Sequence, residues 1–238
     1  MAMPLKRRVP GLADRPVSLK VRVGPGVHRI SISDFSEMLV LKEVLAQGEY
    51  DLAPGNPDPD TILDLGANIG IAALRFRSLF PDAFIVAVEP NPATVKKLRR
   101  NVADDSRITV VQAAVVVSPG PVRLNVSTDS WGARVSESDE GIEVSGVSVE
   151  SLVRAQGWSR ADLVKMDIEG QEHTVIPAIR DLGCIGSIIA EVHPNGAPDP
   201  SEDIARSLAT RAWGELQPRR RNVFHWGPVR EAPDGAPE

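Results

Sequence analysis

The sequence predicts an α/β fold with a mostly parallel, doubly wound sheet and a C-terminal antiparallel hairpin. From residue 61 onward, short runs of apolar residues alternate with amphipathic stretches, the pattern of strands joined by crossover helices. Ionisable residues follow most of the apolar runs at their carboxyl ends. Because open parallel sheets bind ligands beyond the carboxyl ends of their strands, these two observations indicate a ligand-binding α/β domain.

The size and charge of the chain limit the classes of function. Its 238 residues, 42% of them hydrophobic, suit one sizeable domain with a single core. A formal net charge of -5 gives no general attraction to nucleic acid or to anionic membranes, and no apolar run reaches the roughly 20 residues of a membrane-spanning helix. The single Cys184 cannot form an internal disulfide, and no apolar secretion signal is present. We therefore expect a cytoplasmic protein that acts on a small molecule.

Four segments are predicted along the chain. Residues 1–15 and 231–238 are rich in Pro, Gly, Ala and charge, which predicts disorder. Residues 16–60 are expected to form an N-terminal extension, with strand alternation before a Gly-Pro-Gly turn, an amphipathic helix over 35–46 and a turn-rich connector. Residues 61–230 then form the predicted main domain.

Apolar runs and turn residues divide this main domain into elements. Strands are predicted over 61–65, 84–88, 108–112, 163–166 and 185–192, and helices over 69–80, 92–101, 172–180 and 200–213. Turn residues delimit three further short strands, over 122–126, 134–135 and 141–144, which are expected to form an antiparallel excursion. The strands 215–217 and 223–226 form the predicted hairpin.

The loop after the first predicted strand has the sequence GANIG at residues 66–70. Gly66 and Gly70 permit a tight turn and close approach of a ligand, but such turns are common after strands and are weak evidence alone. Asn68 stands where a dinucleotide fingerprint has its second glycine, and its side chain would crowd a pyrophosphate. Asn68 therefore argues against a dinucleotide. S-adenosylmethionine has no phosphate, and its amino acid end could be met by Asp64, loop backbone groups and Asn68.

Glu89 ends the second predicted strand, roughly 20 residues after the loop, where an acidic side chain reaches the ribose hydroxyls of adenosine. Because the residues that follow it, Pro90, Asn91 and Pro92, are typical of a helix start, Glu89 could also be only a favourable charge at the N-terminus of that helix. In combination, the loop and Glu89 favour a cofactor cradle at the carboxyl ends of the first three predicted strands. The predicted cofactor-binding residues are Asp64, Gly66, Ala67, Asn68, Gly70, Glu89, Pro90, Asn91, Ala113 and Ala114.

Two further strings are more distinctive than the loop. Residues 163–172 have the sequence LVKMDIEGQE, and residues 191–193, EVH, end the next strand. Together with DLGANIG at 64–70 and EPNP at 89–92, they resemble the FkbM family of methyltransferases over about residues 35–226. The resemblance implies a Rossmann-like class I methyltransferase fold and, most often, O-methylation of a sugar, polyketide or other specialised metabolite. Glu150 departs from the family, which commonly has Asp at this position.

Methyl transfer to a hydroxyl requires in-line alignment and removal of the hydroxyl proton. His193 ends the fifth predicted strand, and histidine has the ordinary pKa best suited to a general base. Asp167 ends the fourth strand and could accept the proton or hold the ammonium group of methionine, whereas Glu169 could also cap the following helix. The predicted catalytic residues are His193, Asp167 and Glu169, and Lys165 is expected to pair with a carboxylate.

Several alternatives remain open at this point. Asp167, Glu169, Glu191 and His193 could form a hard-cation site, but we predict no metal because their spacing along the chain is not compact. The fold also suits an NAD(P)-dependent oxidoreductase or a non-catalytic module that binds an adenosine cofactor. Acceptor specificity is expected to come from residues 34–50 and from the excursion around Ser130, Trp131 and Arg134. The sequence does not predict an oligomeric state.

Overall fold

The computed structural model describes residues 17–52, 56–126, 133–136, 141–194, 200–209, 211, 215–220 and 222–227. The two termini predicted to be disordered, residues 1–15 and 231–238, lie outside these residues. Ser130 and Trp131 also lie outside them, so the acceptor role predicted for that loop stays a prediction. Within the described residues, no helix combines the length and the apolar character that a bilayer span requires.

The N-terminal extension consists of a hairpin and a helix. Strands β1 (Val17–Val23) and β2 (Gly26–Ile32) pair antiparallel, and α1 (Phe35–Leu41) continues into a π-helical turn over Lys42–Ala46. Asp34 caps α1 by accepting the backbone N–H of Glu37.

The main domain begins with β3 (Thr61–Leu65) and alternates strands with helices, as the sequence predicts. Its strands are β3, β4 (Phe84–Val88), β5 (Ile108–Val111), β6 (Ala114–Val115), β7 (Gly120–Val126), β8 (Ala133–Ser136), β9 (Ile142–Val147), β10 (Ala161–Met166), β11 (Ile185–Glu191), β12 (Glu215–Arg220) and β13 (Val223–Gly227). Its helices are α2 (Ile71–Leu79), α3 (Pro92–Asn101), α4 (Val149–Ala155), α5 (Glu172–Ala178) and α6 (Pro200–Ala209), with a 3-10 turn at Leu182–Cys184.

Seven strands form the central sheet in the order β12-β13-β11-β10-β3-β4-β5. The pairs between β11, β10, β3, β4 and β5 are parallel, and β13 is antiparallel to both of its neighbours. The winding reverses between β3 and β10, so the carboxyl ends of these strands border a ligand crevice. The predicted α/β fold with a C-terminal hairpin is confirmed.

A smaller sheet, in the order β6-β9-β7-β8, leaves the main sheet after β5. Its β7 pairs antiparallel with both β8 and β9, as predicted for the excursion, whereas the short β6 pairs parallel with β9. Helix α4 was not expected from the sequence. It has seven residues, and a reciprocal pair of hydrogen bonds between Ser148 and Ser151 starts it.

Two apolar layers cover the two faces of the central sheet. Along β3, Leu63 and Leu65 pack into one layer and Ile62 into the other, because successive side chains of a strand alternate between faces. Asp64 therefore shares the face of Ile62, which the N-terminal extension covers with Ile30 and Tyr50. The N-terminal extension thus covers the buried side chain of Asp64 beside the crevice.

Candidate active site

The glycine loop is held between two neighbouring strand ends. The backbone N–H of Gly66 donates to the carbonyl oxygen of Val88 at 2.9 Å, and so does the N–H of Ala67. Gly66 has φ +75°, and a Cβ there would lie 1.7 Å from the carbonyl oxygen of Asp167. Since this space is filled by backbone, only glycine fits, and the loop after β3 can pack directly on the loop after β10.

Glu89 is fixed by the backbone of two loops. Its Oε2 accepts the N–H of Asn68 at 3.1 Å, and its Oε1 accepts the N–H of Asn91 at 2.9 Å. Asn68 has φ +49°, which turns its N–H toward this carboxylate. Burial raises the pKa of Glu89 to about 7, although the two N–H groups act in the opposite direction. Each oxygen keeps a lone pair for a ligand, so the side chain can accept two hydroxyl groups.

A cleft enclosing about 610 Å³ opens in front of this loop. One wall is apolar and comes partly from the smaller sheet, through Leu124 and Val135 beside Val115. The opposite wall is acidic and contains Asp167 and Glu169. Six of the ten predicted cofactor-binding residues line the cleft, namely Gly66, Asn68, Glu89, Pro90, Ala113 and Ala114.

Lys165 lies at the floor between β3 and β10. Its Nζ is 3.2 Å from Oδ1 of the fully buried Asp64 and 3.8 Å from Oδ2 of Asp167, and it donates to the carbonyl oxygen of Gly66 at 2.8 Å. Burial lowers the pKa of Lys165, but the attraction of Asp64 and Asp167 outweighs this and raises it overall. The ammonium group therefore stays charged, which confirms the predicted pairing with a carboxylate.

His193 follows β11 and lies among three carboxylates. Its Nδ1 is 3.2 Å from Glu172, and its Nε2 is 3.7 Å from Glu169 and 3.9 Å from Asp167. Although burial lowers the pKa of His193, these carboxylates raise it to about 9. The imidazole is consequently protonated on both nitrogens and positively charged at neutral pH.

Tyr50 brings the N-terminal extension into the same site. Its hydroxyl lies 3.2 Å from Asp167 and 3.4 Å from Glu191, and Nζ of Lys165 lies 5.0 Å from its ring centroid. Burial and the nearby carboxylates Asp167 and Glu191 raise the pKa of its phenol. Tyr50 is 4% exposed, so this contact is sealed from solvent on the extension side.

The family assignment rests on the part of the chain that builds this site. The family model described as the methyltransferase FkbM domain matches residues 64–211. The chain belongs to the FkbM methyltransferase family. The matched segment starts at Asp64 in β3 and includes both strings that border the acidic wall. The expected resemblance is thereby confirmed, and no finding supports the oxidoreductase alternative.

Three characterised relatives illustrate the range of this family. The methyltransferase sdnD of Sordaria araneosa is 29% identical over 179 residues, which are 71% of this chain and 62% of sdnD. The hexuronic acid methyltransferase AglP of Haloferax volcanii is 25% identical over 76% of this chain and 75% of its own length. The 31-O-demethyl-FK506 methyltransferase FkbM of Streptomyces tacrolimicus is 26% identical over 60% and 67%, respectively. The chain thus spans less than two thirds of sdnD.

Four predicted cofactor residues of this FkbM-family chain support the cleft without lining it. Asp64 is fully buried against Lys165, because strand alternation points its side chain away from the rim. Ala67 is buried behind the loop, and Gly70, with φ +92°, begins α2. The side chain of Asn91 accepts the N–H of Ala93 and caps α3. Direct cofactor contact is therefore not proposed for these four side chains.

Two arguments made from the sequence need correction. The choice of His193 as general base relied on the ordinary pKa of histidine, but its carboxylate neighbours keep it protonated near neutral pH. Metal binding was dismissed because the ligand spacing is not compact, yet the fold brings Asp167, Glu169 and His193 together, with one ligand atom of each within 4.8 Å of the others. Folding, not spacing along the chain, creates this cluster.

Three functional positions were missed by sequence reasoning. Glu172 ends the string at 163–172 and, like Glu169, could from the sequence simply cap the following helix. In the structure it accepts the N–H groups of Ile168 at 2.8 Å and Gly170 at 3.0 Å, and it also orients His193. Tyr50 lies at the end of the segment 34–50 that was expected to contribute acceptor specificity, but nothing in the sequence distinguished it within that segment. The apolar wall of Leu124 and Val135 carried no distinguishing signal. The alternation of apolar residues along β7 could have shown that Leu124 faces inward, but not that it faces the cleft.

Proposed function

We propose that this chain is an S-adenosylmethionine-dependent methyltransferase that methylates a hydroxyl group of a small molecule. The observation that carries the proposal is Glu89, a buried carboxylate fixed by two backbone N–H groups at the rim of the cleft. The relatives AglP and FkbM support the acceptor class, because their names specify a hexuronic acid and an oxygen position of FK506. The cytoplasmic location, expected from the single cysteine and the amino-terminal sequence, stays a prediction. The absence of nucleic-acid and membrane partners, expected from the net charge and the lack of a long apolar run, also stays a prediction.

The cleft suits this cofactor better than a dinucleotide. Glu89 and Asp167 make its polar wall acidic, which would repel a pyrophosphate but suits a cation. Oδ1 of Asn68 is buried and has no hydrogen-bond partner among the described residues, so it offers an acceptor for an ammonium group. The apolar side, with Ala114 and Leu124, suits the flat face of adenine.

In this proposal the two walls of the cleft have separate tasks. Glu89 would accept the two ribose hydroxyls, and the backbone around Gly66 would admit the amino acid end of the cofactor. S-adenosylmethionine supplies a methyl group made electrophilic by its sulfonium. Asp167, Glu169 and His193 would receive the acceptor hydroxyl on the acidic wall and promote the loss of its proton. Tyr50 would close this side against water.

A methyl-transfer screen tests the proposal. We expect calorimetry to show binding of S-adenosylhomocysteine but not of NADH, and a labelled donor to transfer its methyl group to at least one hydroxylated acceptor among sugars and polyketides. Binding of NADH without binding of S-adenosylhomocysteine would refute the methyltransferase proposal. Cofactor binding with no transfer to any acceptor would instead favour the non-catalytic module.

The substitution Glu89→Gln is expected to weaken binding of S-adenosylhomocysteine about 10- to 100-fold, because hydrogen bonds to a charged group contribute about 1.5–3 kcal/mol each. Since the pKa of Glu89 is raised to about 7, the wild-type affinity should increase as the pH rises through that value and Glu89 ionises. The neighbouring charges Lys165 and Asp167 are common to both proteins. The carboxyl groups of Glu49 and Glu191, whose pKa is also raised to about 7, are likewise common to both proteins. In calorimetric titrations from about pH 6 to about pH 8, the rise in affinity should therefore be larger in the wild type by the part that belongs to Glu89.

The matched control is Glu143→Gln on β9, which removes the same charge at an exposed residue that does not line the cleft. Its affinity should equal that of the wild type at each pH. If Glu89→Gln bound S-adenosylhomocysteine as tightly as this control, Glu89 would have no place in the cofactor cradle.

A further inference from the structure

The cluster of Asp167, Glu169 and His193 has gaps of a definite size. Nε2 of His193 lies 3.9 Å from Oδ1 of Asp167 and 3.7 Å from Oε2 of Glu169. Direct hydrogen bonds of this type are about 2.7–3.2 Å long, so these atoms do not bond to each other. A divalent cation about 2.1 Å from each ligand atom would span such gaps. The three side chains therefore bring one ligand atom each within 4.8 Å of the others, and Nε2 of His193 makes no direct hydrogen bond to either carboxylate across these two gaps.

Buried partners aim the imidazole at this space. Glu172, which is fully buried, lies 3.2 Å from Nδ1 of His193 and is itself held by backbone N–H groups of its own loop. Nε2 of His173 lies 2.6 Å from the carbonyl oxygen of His193 and fixes its backbone. A carboxylate on one imidazole nitrogen, with the other nitrogen directed at further ligands, is the arrangement that supports metal-bound histidines.

A second set of contacts orients Asp167. Its Oδ2 lies 3.2 Å from the Tyr50 hydroxyl and 3.8 Å from Nζ of Lys165. The other oxygen, Oδ1, is the one that lies nearest to His193. The two oxygens therefore have separate neighbours, and only one of them belongs to the cluster.

Carboxylates outnumber cationic side chains around the cluster. In the described part of the chain, seven carboxylates interact with the cations Lys165 and His193: Glu49, Asp64, Glu89, Asp167, Glu169, Glu172 and Glu191. The carboxylates therefore outnumber the cations among these groups, and they repel one another. A further cation would relieve this repulsion.

We propose that Asp167, Glu169 and His193 bind a divalent cation of the Mg²⁺ or Mn²⁺ type, which receives the acceptor hydroxyl. Carboxylate and imidazole ligands suit such ions, and three protein ligands leave coordination positions open. The cation replaces the proton on Nε2 of His193. This inference depends on the proposed methyltransferase function for its chemical use, but not for the binding itself.

The cation would act by lowering the pKa of the hydroxyl that it binds. The hydroxyl proton leaves to solvent, and the oxygen then forms a bond to the methyl carbon. The carbon–sulfur bond breaks, its electron pair stays on sulfur, and the products are a methyl ether and a neutral thioether. His193 acts as a ligand in this scheme and not as the general base.

The test is a titration of the full chain, freed of metal, with Mn²⁺ and no other ligand, followed by electron paramagnetic resonance. We expect one bound ion, with a nitrogen hyperfine coupling from the imidazole. His193→Gln should remove that coupling, and both His193→Gln and Glu169→Gln should weaken binding at least about 10-fold. The control Glu191→Gln removes a nearby charge without removing a ligand, so its affinity should fall less than about 3-fold.

Circular dichroism and thermal unfolding establish that each variant is folded before it is titrated. A wild-type chain that binds no Mn²⁺ at millimolar concentration would overturn the proposal. So would equal affinities of Glu169→Gln and Glu191→Gln, because binding would then reflect only general negative charge. A chain that binds Mn²⁺ but transfers no methyl group would leave the metal site standing and refute the proposed function. Full methyl transfer in the presence of a chelator would leave the proposed function standing and refute the role of the cation in receiving the acceptor hydroxyl.

Discussion

The substitution Lys165→Met is expected to lower the free energy of unfolding by about 3–5 kcal/mol, the usual cost of breaking a buried ion pair by removing one partner. Lys165 is 2% exposed and Asp64 is fully buried, so water cannot replace the lost ammonium group. Methionine keeps the volume of the stem, which leaves charge as the main change. Denaturant unfolding near neutral pH, followed by circular dichroism, measures the difference.

Two further variants separate this cause from others. Arg206→Met breaks the ion pair with Glu202, in which both side chains are more than 60% exposed, and should cost no more than about 1 kcal/mol. The double variant Asp64→Leu with Lys165→Met should recover much of the loss, since it leaves no buried charge of this pair without a partner. A loss in Lys165→Met as small as that in Arg206→Met would show that the buried pair contributes little.

The pH dependence provides an independent readout. Burial raises the pKa of Asp64 above its ordinary value, and the loss of Lys165 would raise it further. The folded variant therefore binds a proton more tightly than the unfolded chain does, so its stability should increase as the pH falls. The stability gap between Lys165→Met and the wild type should narrow accordingly. A gap that widens at acid pH would contradict this account.

Most of the central sheet could be predicted because its signals are local. The apolar strand over Thr61–Leu65 and the turn that follows it are visible in a few consecutive residues, and the same holds for Phe84–Val88. Helix α4 was missed, although α5 has the same length of seven residues and was predicted. The predicted last helix of the domain, over 200–213, ends at Ala209 in the structure.

The acidic wall could be predicted only in part, because its geometry depends on residues that are far apart in the chain. The strand-end rule placed Asp167 and His193 on the same rim, but it could not give the distances between their side chains. Tyr50 reaches Asp167 across 117 positions, and no local pattern connects them. The pKa of His193 likewise depends on Glu172 and Glu169, whose orientations follow from loop hydrogen bonds.

The glycine loop yields the second large effect. Gly66 and Gly157 have nearly the same φ, +75° and +70°, so alanine at either position suffers the strain of a positive φ, about 1–2 kcal/mol. A Cβ at Gly157 would meet nothing within 4 Å, whereas a Cβ at Gly66 would lie 1.7 Å from the carbonyl oxygen of Asp167. Gly157→Ala is therefore a matched control for strain alone.

Gly66→Ala is expected to cost more than about 4 kcal/mol or to prevent native folding, because a backbone carbonyl cannot move aside as a flexible side chain can. Any folded Gly66→Ala must separate the loop after β3 from Asp167, which should abolish binding of S-adenosylhomocysteine, while Gly157→Ala binds it normally. Denaturant unfolding and calorimetry on both variants measure these effects. Equal losses of stability in the two variants would mean that left-handed strain, and not the contact between the two loops, makes glycine necessary at position 66.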